Sequence, residues 1–323
     1  MRYLGFLFYS VLSLTAAVPA FAQNSYPDKP IRMVVPFAAG GPADVVARVV
    51  AADMSNRLGQ QIIIENKTGA GGTVGTDYVA KSSPDGYTVL FVTIAHVISP
   101  AVYKSLPYDP VKDFTPIRRI GQVPLVLVVR KDFPANDVAS FIAVLKQKPG
   151  QFNFGSAGNG SVEQLATAWF QDRASVKAVH IPYRGAALAI QDLVAGRLDF
   201  IIETSSVMLP HIASGAVKAL AVANDKRIST LPAIPTMAEA GVSDFNVAAW
   251  YGLLGPSGIP LPISERLNTA ISTSLNDETV RKRLSQFGVE VAADTSSAEF
   301  ARFIVAELGR WMPLMKAVGV EPQ

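Results

Sequence analysis

Two glycine-rich turns, one in each half of this chain, constrain its fold more than any other feature: Pro36-Phe37-Ala38-Ala39-Gly40-Gly41-Pro42-Ala43-Asp44 and Phe154-Gly155-Ser156-Ala157-Gly158-Asn159-Gly160-Ser161. Each follows an apolar run of strand character, residues 31–35 and 152–154, and each opens into an amphipathic helical pattern. Strand, glycine turn and helix in that order bring unpaired backbone N–H groups and the positive end of a helix dipole to one point, where glycine lets an oxyanion approach the backbone. The natural guest of such a turn is an anion. Two such turns predict a cleft with a carboxylate or similar group held between two lobes.

The pattern around the turns is that of an α/β protein. Strand 31–35 leads to a helix over 43–58, whose Val45, Val46, Val49, Val50 and Met54 form an apolar stripe closed by Gly59. A strand at 61–65, a short helix ending before Pro84-Asp85-Gly86 and a strand at 87–93 complete a βαβαβ unit, which implies a parallel sheet. The plan repeats with strands at 125–130, 152–154, 179–181, 200–202 and 217–222. Helices lie between them at 138–148, at 161–171, before Gly196 and near Leu209. From about Leu261 the tail carries two or three helical patterns and is expected to pack back on the first lobe.

The N-terminus sets the compartment. Arg2 is a positive start, residues 4–17 an apolar core too short to span a bilayer comfortably, and Ala20-Phe21-Ala22 a small-residue cleavage site. Residues 1–22 read as a cleaved signal peptide and the mature chain as periplasmic. The chain has 0 cysteines, which removes disulfides, thiolate nucleophiles and zinc–thiolate sites. Its formal charge is only +3, with basic residues scattered rather than gathered beside aromatic platforms, so a nucleic-acid surface is not expected. The 3 histidines, His96, His180 and His211, have no metal-ligand spacing, and no cofactor is expected. His96, at a strand end, is open between a cleft residue and a capped turn. The glycines of 69–75 lack the third position of a nucleotide fingerprint, although Gly72 and Thr73 could add donors at a cleft rim.

Four separated stretches, Pro36 to Pro42, Leu106-Pro107-Tyr108-Asp109-Pro110-Val111-Lys112-Asp113-Phe114, His180-Ile181-Pro182-Tyr183-Arg184-Gly185 and Trp250-Tyr251-Gly252, resemble the tripartite tricarboxylate transporter substrate-binding proteins, the Bug receptors. The likeness runs through nearly the whole mature chain. It implies a type II-like periplasmic binding protein: two α/β lobes, joined by crossing segments near Val123 and Asn224, closing on a small organic carboxylate. It also implies delivery to a membrane permease of one large and one small subunit. The expected division is 1–22 signal peptide, 23–123 first lobe, 124–224 second lobe, and 225–323 returning to the first lobe with C-terminal helices. The chain is expected to act as a monomer and not as an enzyme.

Carried over residue by residue, the resemblance assigns ligand contacts to Phe37, Ala38, Ala39, Gly40 and Gly41 in the first turn. In the second it assigns them to Ser156, Ala157, Gly158, Asn159 and Gly160. Backbone groups and water, rather than an arginine clamp, would hold the carboxylate. Ser161 is open between helix cap and ligand donor, and Asp44 between cap and loop-orienting group. Tyr183 and Arg184 are further candidates against packing and a surface ion pair. Glu203, at a strand end, could receive an ammonium or hydroxyl, or serve as a lobe contact. The chain departs from the family's usual pattern at Ala43, Val162-Glu163-Gln164, Leu188 and Glu203. Two rival readings share this sequence: a secreted hydrolase, opposed by the absence of a G-x-S-x-G elbow, and a ligand-sensing receptor for a membrane kinase.

Overall fold

A computed structural model describes residues 26–183, 185–293 and 296–317. The leader expected at 1–22 and Arg184 lie outside the described residues.

The chain opens with β1 (Ile31–Val35), α1 (Pro42–Leu58), β2 (Ile62–Asn66), α2 (Thr73–Ala80), β3 (Thr88–Thr93) and α3 (Ala95–Val102). Strands β2, β1 and β3 are parallel neighbours in that order. Helix α1 starts with proline in its first turn and stops at Gly59, whose φ of 71° gives the left-handed conformation glycine adopts freely. Its buried stripe packs with β1, β3 and the later helix α8 (Leu261–Asn276) in one apolar cluster.

The next strand organises the molecule. β4 (Phe114–Arg130) is 17 residues long and changes partners midway. Residues 114–124 run antiparallel to β9 (Ala248–Pro256), which pairs with β3. Residues 125–130 instead pair with β7 (Phe200–Thr204) and β8 (Val217–Ala223). Beyond β7 lie β5 (Asn153–Ser156) and β6 (Val179–Pro182), parallel to each other. Helices α4 (Val138–Gln147), α5 (Val162–Ala174), α6 (Ala186–Val194) and α7 (Ser205–Ala213) connect these strands. The result is a curled α/β structure with two lobes built on a shared strand. Alternation along β4 serves two cores: Leu125, Leu127 and Val129 join one apolar cluster, and Val126 and Val128 another.

After β8 the chain reaches the junction at Asn224, whose side-chain amide contacts Gln122 and Glu290. It then turns back: Ile228 and Leu231 pack in the cluster of α7 and β8, and Met237 donates its N–H to the Val222 carbonyl. The passage to β9 follows at Val247, which is hydrogen-bonded to both Ala223 and Leu125. Helix α9 (Glu278–Gln286), β10 (Glu290–Val291) and α10 (Ser297–Ala317) complete the chain. Helix α10 covers β9 with Phe300, Phe303 and Trp311, and a Cβ at Gly252 would lie 2.3 Å from the Phe300 ring, so glycine is what permits this approach.

Candidate functional site

Both glycine turns leave the C-terminal ends of parallel strands, β1 and β5, the side of an open α/β sheet where ligands collect. In the first, Gly40 has φ 78° and donates its N–H to Asp44 Oδ2 at 2.9 Å. Asp44 also receives Arg48 Nε at 2.8 Å and Asn66 Nδ2 at 2.9 Å, and the same amide nitrogen donates to the Phe37 carbonyl. Burial alone would raise the Asp44 pKa, but hydrogen bonds from Arg48, Gly40 and Asn66 outweigh it and hold the carboxyl at about 2. Asp44 therefore binds the turn itself. Gly41 N–H is taken by the Ala38 carbonyl, whereas no hydrogen bond among the described residues uses the N–H of Ala38 or Ala39, both exposed. A cavity of about 10 Å³, room for roughly one water, is lined by Phe37, Gly72, Thr93 and His96.

The second turn is clamped in the same way, since Gly160 donates its N–H to Gln164 Oε1 at 2.6 Å. Gly158 (φ 131°) donates to Ser156 Oγ, and the Gly158 carbonyl accepts from Ser161 N–H. The N–H of exposed Asn159 is unused among the described residues. Ser161 caps α5 by accepting from Gln164 N–H. This turn lies against the other lobe, because a Cβ at Gly160 would sit 3.1 Å from Val102 at the end of α3.

Ser156 Oγ sits 2.7 Å from His180 Nε2, the one contact that a hydrolase would need. The Gln164 side-chain amide reaches His180 Nδ1 at 3.3 Å, so Nδ1 accepts and Nε2–H donates to Ser156 Oγ. The serine proton then points to the Gly158 carbonyl, 3.1 Å away. A histidine that donates to the serine cannot take its proton, and an amide stands where an activating carboxylate would be needed. The trio fixes the turn rather than activating a nucleophile.

Other expected residues are placed differently from one another. Tyr183 is tied to α6 through a 2.6 Å bond from its hydroxyl to Asp192, and burial with that carboxylate pushes its pKa up to about 12. His96 lies inside α3, buried, with Nε2–H donating to the Pro110 carbonyl at 2.8 Å, and burial lowers its pKa to about 4. Thr73 spends its hydroxyl on the Ala70 carbonyl. A depression of about 1040 Å³ opens on the outer edge around Arg32, Ile63 and Lys81 and includes neither turn.

Glu203 has a partner that sequence reasoning missed. At the end of β7 it accepts from Thr204 N–H and Thr204 Oγ1, and its carboxyl lies near that of Glu163 in the first turn of α5. Ser161 and the Ala157 N–H of the second turn lie near Glu163 and offset part of the effect of burial on its carboxyl. Both are buried, and the Oε2 of each finds no hydrogen-bond partner among the described residues. Burial raises the pKa of both; that of Glu203 is pushed well above the carboxylate range, further by the charge of Glu163, whereas the Glu203 carboxyl lowers that of Glu163.

The folded pair thus keeps a proton that the unfolded chain releases in the ordinary carboxylate range. Stability fully present below that range is lost as pH rises through the raised value. Glu203→Gln should flatten this slope and raise the urea midpoint above wild type at pH 8; a midpoint that falls equally with pH in both proteins would show that the pair carries no excess proton.

Residues 46–320 match the model of the tripartite tricarboxylate transporter family receptor. The solved structure of periplasmic binding protein BugD is 36% identical, with TM-score 0.80, covering 92% of this chain and 100% of that one. Rpa4515 of R. palustris, solved with adipate, is 34% identical with TM-score 0.82 over 92% of this chain and 100% of its own. MatC of Rhodopseudomonas palustris, solved with bound malate, is 36% identical with TM-score 0.77 over 90% and 99%. The family and these neighbours are substrate-binding proteins, not enzymes. With the family model matched along most of its length and the two-lobed fold shared, the chain belongs to the tripartite tricarboxylate transporter receptor family.

Proposed function

We propose that this protein captures a small organic carboxylate between its two glycine turns and hands it to a membrane permease of one large and one small subunit. The observation that carries the reading is the pair of strand-to-helix turns, one per lobe, with the N–H groups of Ala38, Ala39 and Asn159 left for a guest. Neighbours with adipate and malate bound support a carboxylate ligand. Phe37, Gly40, Gly41, Ser156, Ala157, Gly158, Gly160 and Ser161 then serve mainly by shaping the turns. The protein would act in the periplasm as a monomer, its leader of residues 1–22 removed.

Lobe boundaries follow the strand pairing. The first lobe takes 23–123, the second begins at 124, and the return crossing falls at Val247 rather than directly after Asn224, because residues 228–237 bury against β8 and α7. Gentle purification followed by mass spectrometry of the extracted small molecules tests the reading. An intact carboxylic acid at near-stoichiometric amount is expected. Conversion of a supplied acid or ester to product would overturn it.

A further inference from the structure

The hydrogen bonds that shape the second turn form one directional chain with an imidazole in its middle. Gly160 N–H donates to Gln164 Oε1 at 2.6 Å, and the amide nitrogen of Gln164, thereby aimed at β6, donates to His180 Nδ1 at 3.3 Å. His180 Nε2–H donates in turn to Ser156 Oγ at 2.7 Å, and the serine proton goes to the Gly158 carbonyl at 3.1 Å. Each side chain accepts from the one before and donates to the next. Both ends are backbone groups of the turn, an N–H and a carbonyl, so the direction cannot be reversed.

Such a chain closes only through a neutral imidazole, which accepts at one nitrogen and donates at the other. An imidazolium donates from both, and its Nδ1–H faces the Gln164 amide hydrogens. Turning the ring over changes nothing, because both nitrogens then carry hydrogen. Turning the amide over gives Oε1 to the imidazolium but sets the NH2 group against Gly160 N–H. By either route Gly160 loses its acceptor, while the Ser156 end of the chain is the same in both charge states. Gly160 is also where this turn meets the other lobe, since a Cβ there would sit 3.1 Å from Val102.

No charged partner offsets the conflict. The ring stacks on Phe154 with centroids 4.9 Å apart, and β5 and β6 carry no other ionisable side chain. The ionisable residues of α5 are Glu163, Asp172 and Arg173, and Lys177 and Tyr183 flank β6. None of these acts on the imidazole, whose pKa is lowered by burial.

We propose that His180 is a positioning residue of the binding site: as a neutral ring it locks the second turn through Gln164, and in acid it releases the turn and weakens the ligand's hold. The inference rests on the receptor reading and adds a pH limit to it. Binding needs the ordered turn and so favours the neutral ring. Affinity is therefore full above the ordinary imidazole range and falls as pH drops through the lowered value.

NMR of the isotope-labelled mature chain, titrated from about pH 8 to about pH 5, tests the positioning without any ligand. At the upper end His180 should carry its proton on Nε2. The Gly160 amide should shift with the midpoint of the ring, while the Gly40 amide, clamped by Asp44, should not follow it. A Gly160 amide that ignores the ring, or a neutral ring protonated on Nδ1, overturns the proposal. These readings come from the wild type, so a variant that fails to fold cannot excuse them. In His180→Gln, where no charge can form, the Gly160 midpoint should vanish. Calorimetry with the acid recovered from the protein should then show affinity falling at least about threefold more in wild type than in His180→Gln between about pH 7.5 and about pH 5. The comparison cancels protonation of the acid itself. Equal falls in the two proteins overturn the proposal and leave the receptor reading standing. Recovery of no acid counts against the receptor reading, and the Gly160 and ring titrations still decide the role of His180.

Discussion

Glu307→Ala is expected to lower the unfolding free energy by about 3 to 5 kcal/mol, because one truncation removes the acceptor of two buried donors. Glu307 is buried on α10, and its Oε2 accepts from two indoles at once, Trp250 Nε1 at 3.1 Å and Trp311 Nε1 at 3.0 Å. Both tryptophans are about 1% exposed, so truncation strands two N–H groups that water cannot reach. It also leaves a void between β9 and the C-terminal helix. Glu307→Gln keeps an acceptor and should lose less than half as much. Urea midpoints of the three proteins decide the point. An alanine variant within about 1 kcal/mol of wild type would mean that α10 is held by its aromatic contacts alone.

Gly40→Val should reduce affinity for the bound acid at least a hundredfold while the protein remains folded. The φ of 78° at this position is one that a β-branched residue resists, and a Cβ there meets nothing within 4 Å, so the penalty is conformational and not a clash. Relaxing that strain must move Gly40 away from Asp44 and swing the Ala38 and Ala39 N–H groups out of line. The expected stability cost is about 1 to 3 kcal/mol, typical of a single strained residue. Gly158→Val, at φ 131° and with its Cβ 3.2 Å from the Tyr183 carbonyl, should disturb binding less if the first turn carries the charge. Equal affinity of Gly40→Val and wild type would remove the first turn from the site.

Much of this architecture is readable from local sequence. The strand 31–35, the stop at Gly59 and the two glycine turns all stand where periodicity and glycine place them, because each is decided within a few residues. β4 is the counterexample. Its first half contains Pro116, Arg118, Arg119, Gly121 and Pro124, which hide a strand from any period-2 reading, and its register with β9 shifts twice to accommodate them. Helix α3 is hidden differently. It follows β3 without a loop, carries Pro100, and begins at Ala95 after Ile94, which offers no side-chain cap, so nothing announces it.

The candidate site divides along the same line. The turns themselves are visible in the sequence, but the use of their N–H groups is not, because Asp44 and Gln164 each reach back four residues to claim one. An acidic residue in the first turn of a helix is ordinary, favoured by the dipole, and gives no reason to single out Glu163. Glu203 stands out as an acid closing an apolar strand, yet its partner is set by sheet order. β7 lies beside β5, so the strand end carrying Glu203 meets the start of the helix that follows β5. The Ser156–His180 contact likewise depends on β5 pairing with β6.

Recognition of the anion itself, rather than of the ligand's carbon skeleton, is what the turns are proposed to supply. Calorimetric titration of the mature chain with the acid recovered from it, and with that acid's methyl ester, tests this most directly. The free acid should bind with one site per chain, and the ester at least a hundredfold more weakly, about 2.7 kcal/mol. An ester that binds as tightly as the acid would contradict the account.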